Sequence, residues 1–179
     1  MFRKVVKDLA INSKAKGSEY ERKIAKKLTQ WSGYEFNRTP MSGGLHWEED
    51  NNVSGDIVPP AELKFPFSIE CKKREIDWEF DTLLRETSQI WDFYKQSCRD
   101  SSRYISKGIK KEPMVVFSKN RRESYMLIHK EIFEFFFSNS EVKHVEVIID
   151  ENCKVVLMSF DEFLSLCTLE DVLKLKDFL

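Results

Sequence analysis

The run Phe67-Ser68-Ile69-Glu70-Cys71-Lys72-Lys73, with Ser54-Gly55-Asp56-Ile57-Val58 shortly before it, decides how this chain is read. Each segment sets acidic residues inside an apolar, β-branched run, where burying an unpaired charge is expensive. Side chains alternate along a strand, so Glu70 and Lys72 point one way while Ile69 and Cys71 point the other. An aspartate, a glutamate and a lysine can thus converge at one edge of a small sheet. That constellation can hold a divalent cation and activate a water against a phosphodiester. Two blander readings stand beside it: Gly55-Asp56 is a common turn signature, and Glu70 with Lys72 is also what a cross-sheet ion pair looks like. The combination favours a site, because both segments are strand-like and Ile69 anchors the second in the core. Their spacing suits adjacent strands of a hairpin.

Outward from this pair, residues 18–31 read as a helix with Ile24, Leu28 and Trp31 on one stripe. Gly33 ends it, and Tyr34 to Arg38 reads as a short strand. Residues 39–54, with Thr39-Pro40, Ser42-Gly43-Gly44 and an acidic stretch, form a long loop of the kind that is often functional. Asp56 opens a second strand closed by Pro59-Pro60, and residues 67–73 are a third. A helix is expected over about residues 81–97, with Leu84, Ile90, Trp91 and Tyr94 on its apolar face. Met114 to Phe117 and Tyr125 to Ile128 are strands joined by the basic turn Lys119-Asn120-Arg121-Arg122. Ile132 to Phe137 is helical, and His144 to Ile149 with Lys154 to Met158 make a hairpin. Two short helices follow Asp161. The expected class is α/β (α+β), a central mixed sheet flanked by helices with a C-terminal β-hairpin and helix extension.

The chain has 179 residues, 41% of them hydrophobic, and suits one globular domain. A core over about residues 14–130 is expected, with an extension over about residues 131–179. No apolar run is long enough to span a membrane. Met1-Phe2-Arg3-Lys4 lacks the apolar stretch of a signal peptide, so a cytoplasmic location is expected. Cys71, Cys98, Cys153 and Cys167 are scattered without zinc spacing and read as buried free thiols. The net charge of −1 conceals an asymmetry: residues 1–27 hold nine Lys/Arg against three acids, and residues 131–179 hold four against eleven. A solvated charged face is the plain account. Beside a candidate phosphodiester site, the basic half also suggests phosphate contacts.

Glu21 lies three residues before Ile24 and seven before Leu28, on the inward stripe of the first helix. Two readings stand for it: a fourth site residue, or the return half of a capping box in Ser18-Glu19-Tyr20-Glu21.

These residues resemble the PD-(D/E)XK nuclease superfamily, in particular archaeal-type Holliday junction resolvases and the phage proteins similar to them. The resemblance is carried by Lys16-Gly17-Ser18-Glu19-Tyr20-Glu21-Arg22-Lys23, Arg38, Ser42-Gly43-Gly44, Gly55-Asp56-Ile57-Val58 and Ile69-Glu70-Cys71-Lys72. It implies a restriction-endonuclease-like core in which Asp56 and Glu70 coordinate magnesium and Lys72 positions the attacking water. Glu21 matches the helix-borne acid and Arg38 the strand-borne arginine. Ser42 falls near the serine-containing loop, and the Cys71 backbone carbonyl falls where such nucleases offer a further metal ligand. The chain departs from the pattern at Gly55, where proline is usual, and in the acidic loop over residues 39–54. Gln89, Phe93 and Tyr94 only approximate the QxxxY motif of the recombination-exonuclease branch.

The implied activity is metal-dependent hydrolysis of DNA phosphodiester bonds on branched or junction DNA, by a homodimer with two sites. Trp78, Trp91 and Phe93 are candidates for the dimer face. Oxygen ligands select Mg2+, with Mn2+ as a substitute. Lys72, beside two carboxylates, acts as a positioner and electrostatic stabiliser more than as a free base. Lys16, Arg38, Lys73, Lys119, Arg121 and Arg122 are candidate phosphate contacts, which fix register without reading bases. Each taken singly is also a solvated surface charge. The rival readings are a restriction- or repair-type duplex nuclease and a non-catalytic DNA-binding module that keeps the fold.

Overall fold

The computed structural model describes residues 2–39, 54–73, 89–102, 110–119, 121–150 and 153–179. Helix α1 (Phe2–Ser32) is followed by β1 (Asn37–Arg38), β2 (Ile57–Val58) and β3 (Phe67–Lys73). Then come α2 (Gln89–Ser102), β4 (Glu112–Ser118), β5 (Tyr125–His129) and α3 (Lys130–Phe137). The chain ends with β6 (His144–Asp150), β7 (Cys153–Ser159), α4 (Phe160–Leu166), α5 (Leu169–Lys174) and a short 3-10 turn, Leu175–Asp177.

Five strands form one mixed sheet in the order β3-β4-β5-β7-β6, with β3 parallel to β4 and the remaining neighbours antiparallel. The alternation along β4 explains its unbroken apolar run. Met114 and Val116 face a cluster that contains Ile24, Leu28, Phe133, Phe163 and Val172, whereas Val115 and Phe117 face Ile90, Trp91, Phe93 and Tyr94 of α2. Helices cover both faces, so neither face of the central strands can be polar. β7 sits between β5 and β6, and Phe160, Phe163, Cys167, Val172 and Leu175 share the cluster with α1. The Trp31 indole N–H donates to the Cys167 carbonyl at 2.8 Å, and Lys27 pairs with Asp161.

The architecture is the expected α+β, restriction-endonuclease-like arrangement, with corrections in detail. α1 starts at Phe2, well before residue 18. An interior glycine costs a helix about 1 kcal/mol and does not have to end it, so Gly17 is carried through. Gly33 does close it, at φ +76° with its N–H on the Thr29 carbonyl at 2.9 Å. The strand expected from Tyr34 is shortened to Asn37–Arg38, because the Phe36 N–H turns back to the Thr29 hydroxyl at 3.0 Å. The helix expected over residues 81–97 is seen from Gln89 and runs on to Ser102. Residues 81–88 and most of the 39–54 loop lie outside the described residues, as do Ser42, Trp78 and Leu84.

Two further expectations change. β2 does not form a hairpin with β3: it pairs antiparallel with β1, Arg38 opposite Ile57, and the segment before it meets β3 through a parallel bridge from Gly55 to Ile69. Pro59-Pro60 cannot donate to a ladder, and the turn after them (Leu63 N–H to Pro60 carbonyl, 3.0 Å) brings the chain back alongside Gly55. Trp91 and Phe93 are 4% and 9% exposed in the core beneath α2, so they do not form a dimer face. All four cysteines are free, but Cys98 and Cys153 are only half-buried. Among the described residues no helix is long and apolar enough to cross a membrane.

Candidate active site

Gly55 brings Asp56 onto β3. It adopts φ +77°, a left-handed conformation that L side chains rarely take, and a Cβ there would lie 2.3 Å from the Ile69 carbonyl oxygen. This close approach lets the Asp56 N–H donate to the Ile69 carbonyl at 2.7 Å. The Cys71 N–H in turn donates to Asp56 Oδ2 at 2.8 Å. Thr39 holds the other side, its N–H on the Asp56 carbonyl at 2.9 Å and its hydroxyl on the Gly55 carbonyl at 2.8 Å. The aspartate is therefore fixed by backbone bonds at the free edge of β3.

Glu70 is only 4% exposed and shares a β3 face with Lys72, turned toward α2. Lys72 Nζ pairs with Glu70 Oε1 and lies 5.2 Å from the Phe93 ring centroid. Gln96 on α2 closes the triangle: its Nε2 donates to Glu70 Oε1 at 3.1 Å, and its Oε1 stands 3.5 Å from Lys72 Nζ. Glu21 approaches from α1 on the opposite face and pairs with Arg38 Nε. The capping-box reading of Glu21 fails, because Ser18 lies mid-helix where no N-terminal amide is free.

These charges act on one another. The Asp56 carboxyl is pushed from 3.8 up to about 7, first by burial and then by the charge of Glu70, with Glu21 adding to it; the Cys71 N–H and Lys72 oppose the rise. The buried Cys71 thiol is held well above its ordinary range by desolvation and by the charges of Asp56, Glu21 and Glu70. It faces the core cluster, so it can serve a cation only through its backbone. Among the described residues no three His, Cys, Asp or Glu side chains converge closely enough to enclose a metal ion. The donors do fit a hard divalent cation: two neighbouring carboxylates whose mutual repulsion a cation would offset.

Residues 12–174 match the family model described as "Phage putative PDDEXK endonuclease". The chain belongs to that family. No curated protein and no solved structure matches it. The PD-(D/E)XK superfamily is thus secured over most of the chain, and Gly55 at the usual proline position has a reason. Its φ of +77° is closed to proline, whose ring fixes φ near −65°.

The remaining residues expected of such a nuclease are distributed unevenly. Lys16 is exposed on α1, and Arg121 and Arg122 are exposed in the β4–β5 turn, with Lys119 half-buried beside them. Arg38 is taken up by Glu21. Lys73 turns inward, its Nζ donating to the Ser118 hydroxyl at 3.1 Å and the Lys119 carbonyl at 2.8 Å. Gln96 was not anticipated from sequence. Its signal is its place three residues after Phe93, on the stripe with Ile90 and Ser97 that α2 turns toward the sheet. A cavity of about 760 Å3 lined by Glu112, His129, Lys154 and Phe178 belongs to the other end of the sheet, where Glu112 pairs with Phe67.

Proposed function

We propose that this chain is a divalent-metal-dependent DNA endonuclease, structure-directed in the manner of a Holliday junction resolvase and acting as a homodimer on branched DNA. The observation that carries this reading is Asp56 brought beside Glu70 at the edge of β3, with Lys72 on the Glu70 face, in a chain of an endonuclease family.

Asp56 and Glu70 would hold the cation, Mg2+ or Mn2+ by their oxygen donors, with the Cys71 carbonyl and Glu21 as further ligands. Such a cation supplies a bound water of lowered pKa and offsets charge that builds on the phosphate. Lys72 orients the attacking water and stabilises the developing negative charge. Gln96 and Phe93 keep the Lys72 ammonium over the site. Arg38 restrains Glu21, so the helix-borne acid stays near Asp56. Lys16, Arg121, Arg122 and Lys119 contact backbone phosphates, and Ser42 is a further DNA contact.

The test is a panel of a four-way junction, a linear duplex and a single strand, each with Mg2+ or EDTA, alongside size-exclusion chromatography. Metal-dependent cutting that prefers the junction is expected. Equal cutting of all duplexes would leave a restriction- or repair-type nuclease. No cutting of any substrate would leave a non-catalytic DNA-binding module. Glu70→Ala should abolish cutting while DNA binding persists.

A further inference from the structure

The turn between β4 and β5 is built at a conformational cost. Arg121 sits at φ +61°, the one non-glycine residue with positive φ among those described. A left-handed L-residue is strained, and glycine or asparagine would take the position more easily. Strain of this kind persists where the surroundings over-determine it. Here they do: the Arg122 N–H bonds the Lys119 carbonyl at 3.1 Å, and the Ser118 hydroxyl donates toward the Lys119 and Arg122 carbonyls at 2.9 and 3.0 Å. Lys73 reaches from β3 to the Ser118 hydroxyl and the Lys119 carbonyl, with its ammonium 5.4 Å from the Tyr20 ring centroid. The Tyr20 hydroxyl donates to Ser124 at 2.9 Å just beyond the turn.

The turn also stands at the right end of the sheet. Lys72 pairs with Phe117 and Lys73 with Ser118, so Lys119 begins two residues beyond the level of Lys72. At strand dimensions this is about 8 Å from Lys72, backbone to backbone. That is roughly two to three nucleotides at a rise of ~3.4 Å each. Arg121 and Arg122 are both exposed there.

We propose that this turn is a preorganised clamp for duplex DNA phosphates flanking the cut, in which Arg121 is held in a strained backbone to present its guanidinium. Lys73 is then the internal strut of the clamp, its ammonium turned toward the Lys119 carbonyl and the Ser118 hydroxyl and not toward DNA. The inference rests on the nuclease reading for the identity of its ligand. It adds which cations meet the backbone, which one is structural, and why an arginine occupies a glycine-like position.

The test compares wild type, Arg121→Ala and Arg121→Gly by thermal unfolding and by binding to a fluorescent linear duplex in EDTA across a salt series. Alanine keeps the strained backbone without the charge, and glycine removes both. Both variants should bind several-fold more weakly, and the slope of log affinity against log salt should fall by about 0.9. Arg121→Gly should unfold about 2–4 °C higher than Arg121→Ala. Unchanged affinity and slope in Arg121→Ala would overturn the clamp, as would an Arg121→Gly no more stable than Arg121→Ala. A wild type that binds no duplex and cuts none of junction, duplex and single strand would overturn the nuclease reading and the clamp together. A wild type that cuts normally beside an Arg121→Ala of unchanged slope would overturn the clamp alone.

Discussion

Replacing Asp56 by asparagine should stabilise this protein at alkaline pH while destroying its cutting activity. In the folded chain the Asp56 carboxyl is pushed from 3.8 to about 7, so the native state binds a proton that the unfolded chain has released. Stability from this group is fully present below about pH 4 and falls by about 1.4 kcal/mol per pH unit as pH rises toward 7, flattening above it. The whole window corresponds to at most about 4 kcal/mol. Water reaches the half-buried carboxyl and screens part of that, leaving about 2 kcal/mol. Asparagine keeps an acceptor for the Cys71 N–H and carries no charge at any of these pH values. The assay is thermal or denaturant unfolding of wild type and Asp56→Asn from about pH 4 to pH 9 without divalent cations. The variant should unfold about 4–8 °C higher at the alkaline end, and its advantage should vanish at the acid end. Glu70 supplies the next largest push on Asp56, so a Glu70→Gln background should shrink the gain. A variant no more stable than wild type at alkaline pH, or an advantage independent of pH, would refute this account of the site.

Other outcomes follow from single contacts. Gly55→Ala places a Cβ 2.3 Å from the Ile69 carbonyl at φ +77°; a loss of more than about 2 kcal/mol is expected by denaturant unfolding, together with lost cutting as Asp56 shifts. Gln96→Leu leaves Lys72 with Glu70 and the Phe93 ring and removes the amide that bonds Glu70, so kcat should fall about tenfold with KM nearly unchanged; Gln96→Glu should not rescue it, because a carboxylate cannot donate to Glu70. An equal loss of DNA affinity would instead place Gln96 in binding.

Much of the scaffold was legible because burial on both faces writes itself as uninterrupted apolar runs. Met114 to Phe117 and Lys154 to Met158 were found for that reason, and the hairpin of β6 with β7 by the polar break between its strands. Strand β3 coincides with residues 67–73, and strand alternation alone sets Glu70 and Lys72 on one face. Other features depend on partners remote in sequence. Ser18 to Glu21 has the pattern of a cap, yet whether it caps depends on Phe2 to Gly17 being helical. Trp91 and Phe93 look like interface residues until α2 is laid on Val115 and Phe117. Gln96 meets Glu70 and Lys72 only once α2 is laid across β3, and Lys73 reaches the Ser118 hydroxyl only because β4 sets Ser118 opposite it.

By itself, the sequence determined the elements and the chemical inventory: a β-strand carrying Glu70 and Lys72, an aspartate after a glycine, and an acid on a helix. These follow from side-chain periodicity and backbone freedom, which are local. The tertiary structure decided how the charges meet. It set Asp56 against β3 through a parallel bridge and tied Glu21 to Arg38. It also turned Lys73 inward and left Arg121 strained and exposed. Those outcomes depend on Coulomb energies and hydrogen bonds that act over a few ångströms, between residues that only the fold makes neighbours.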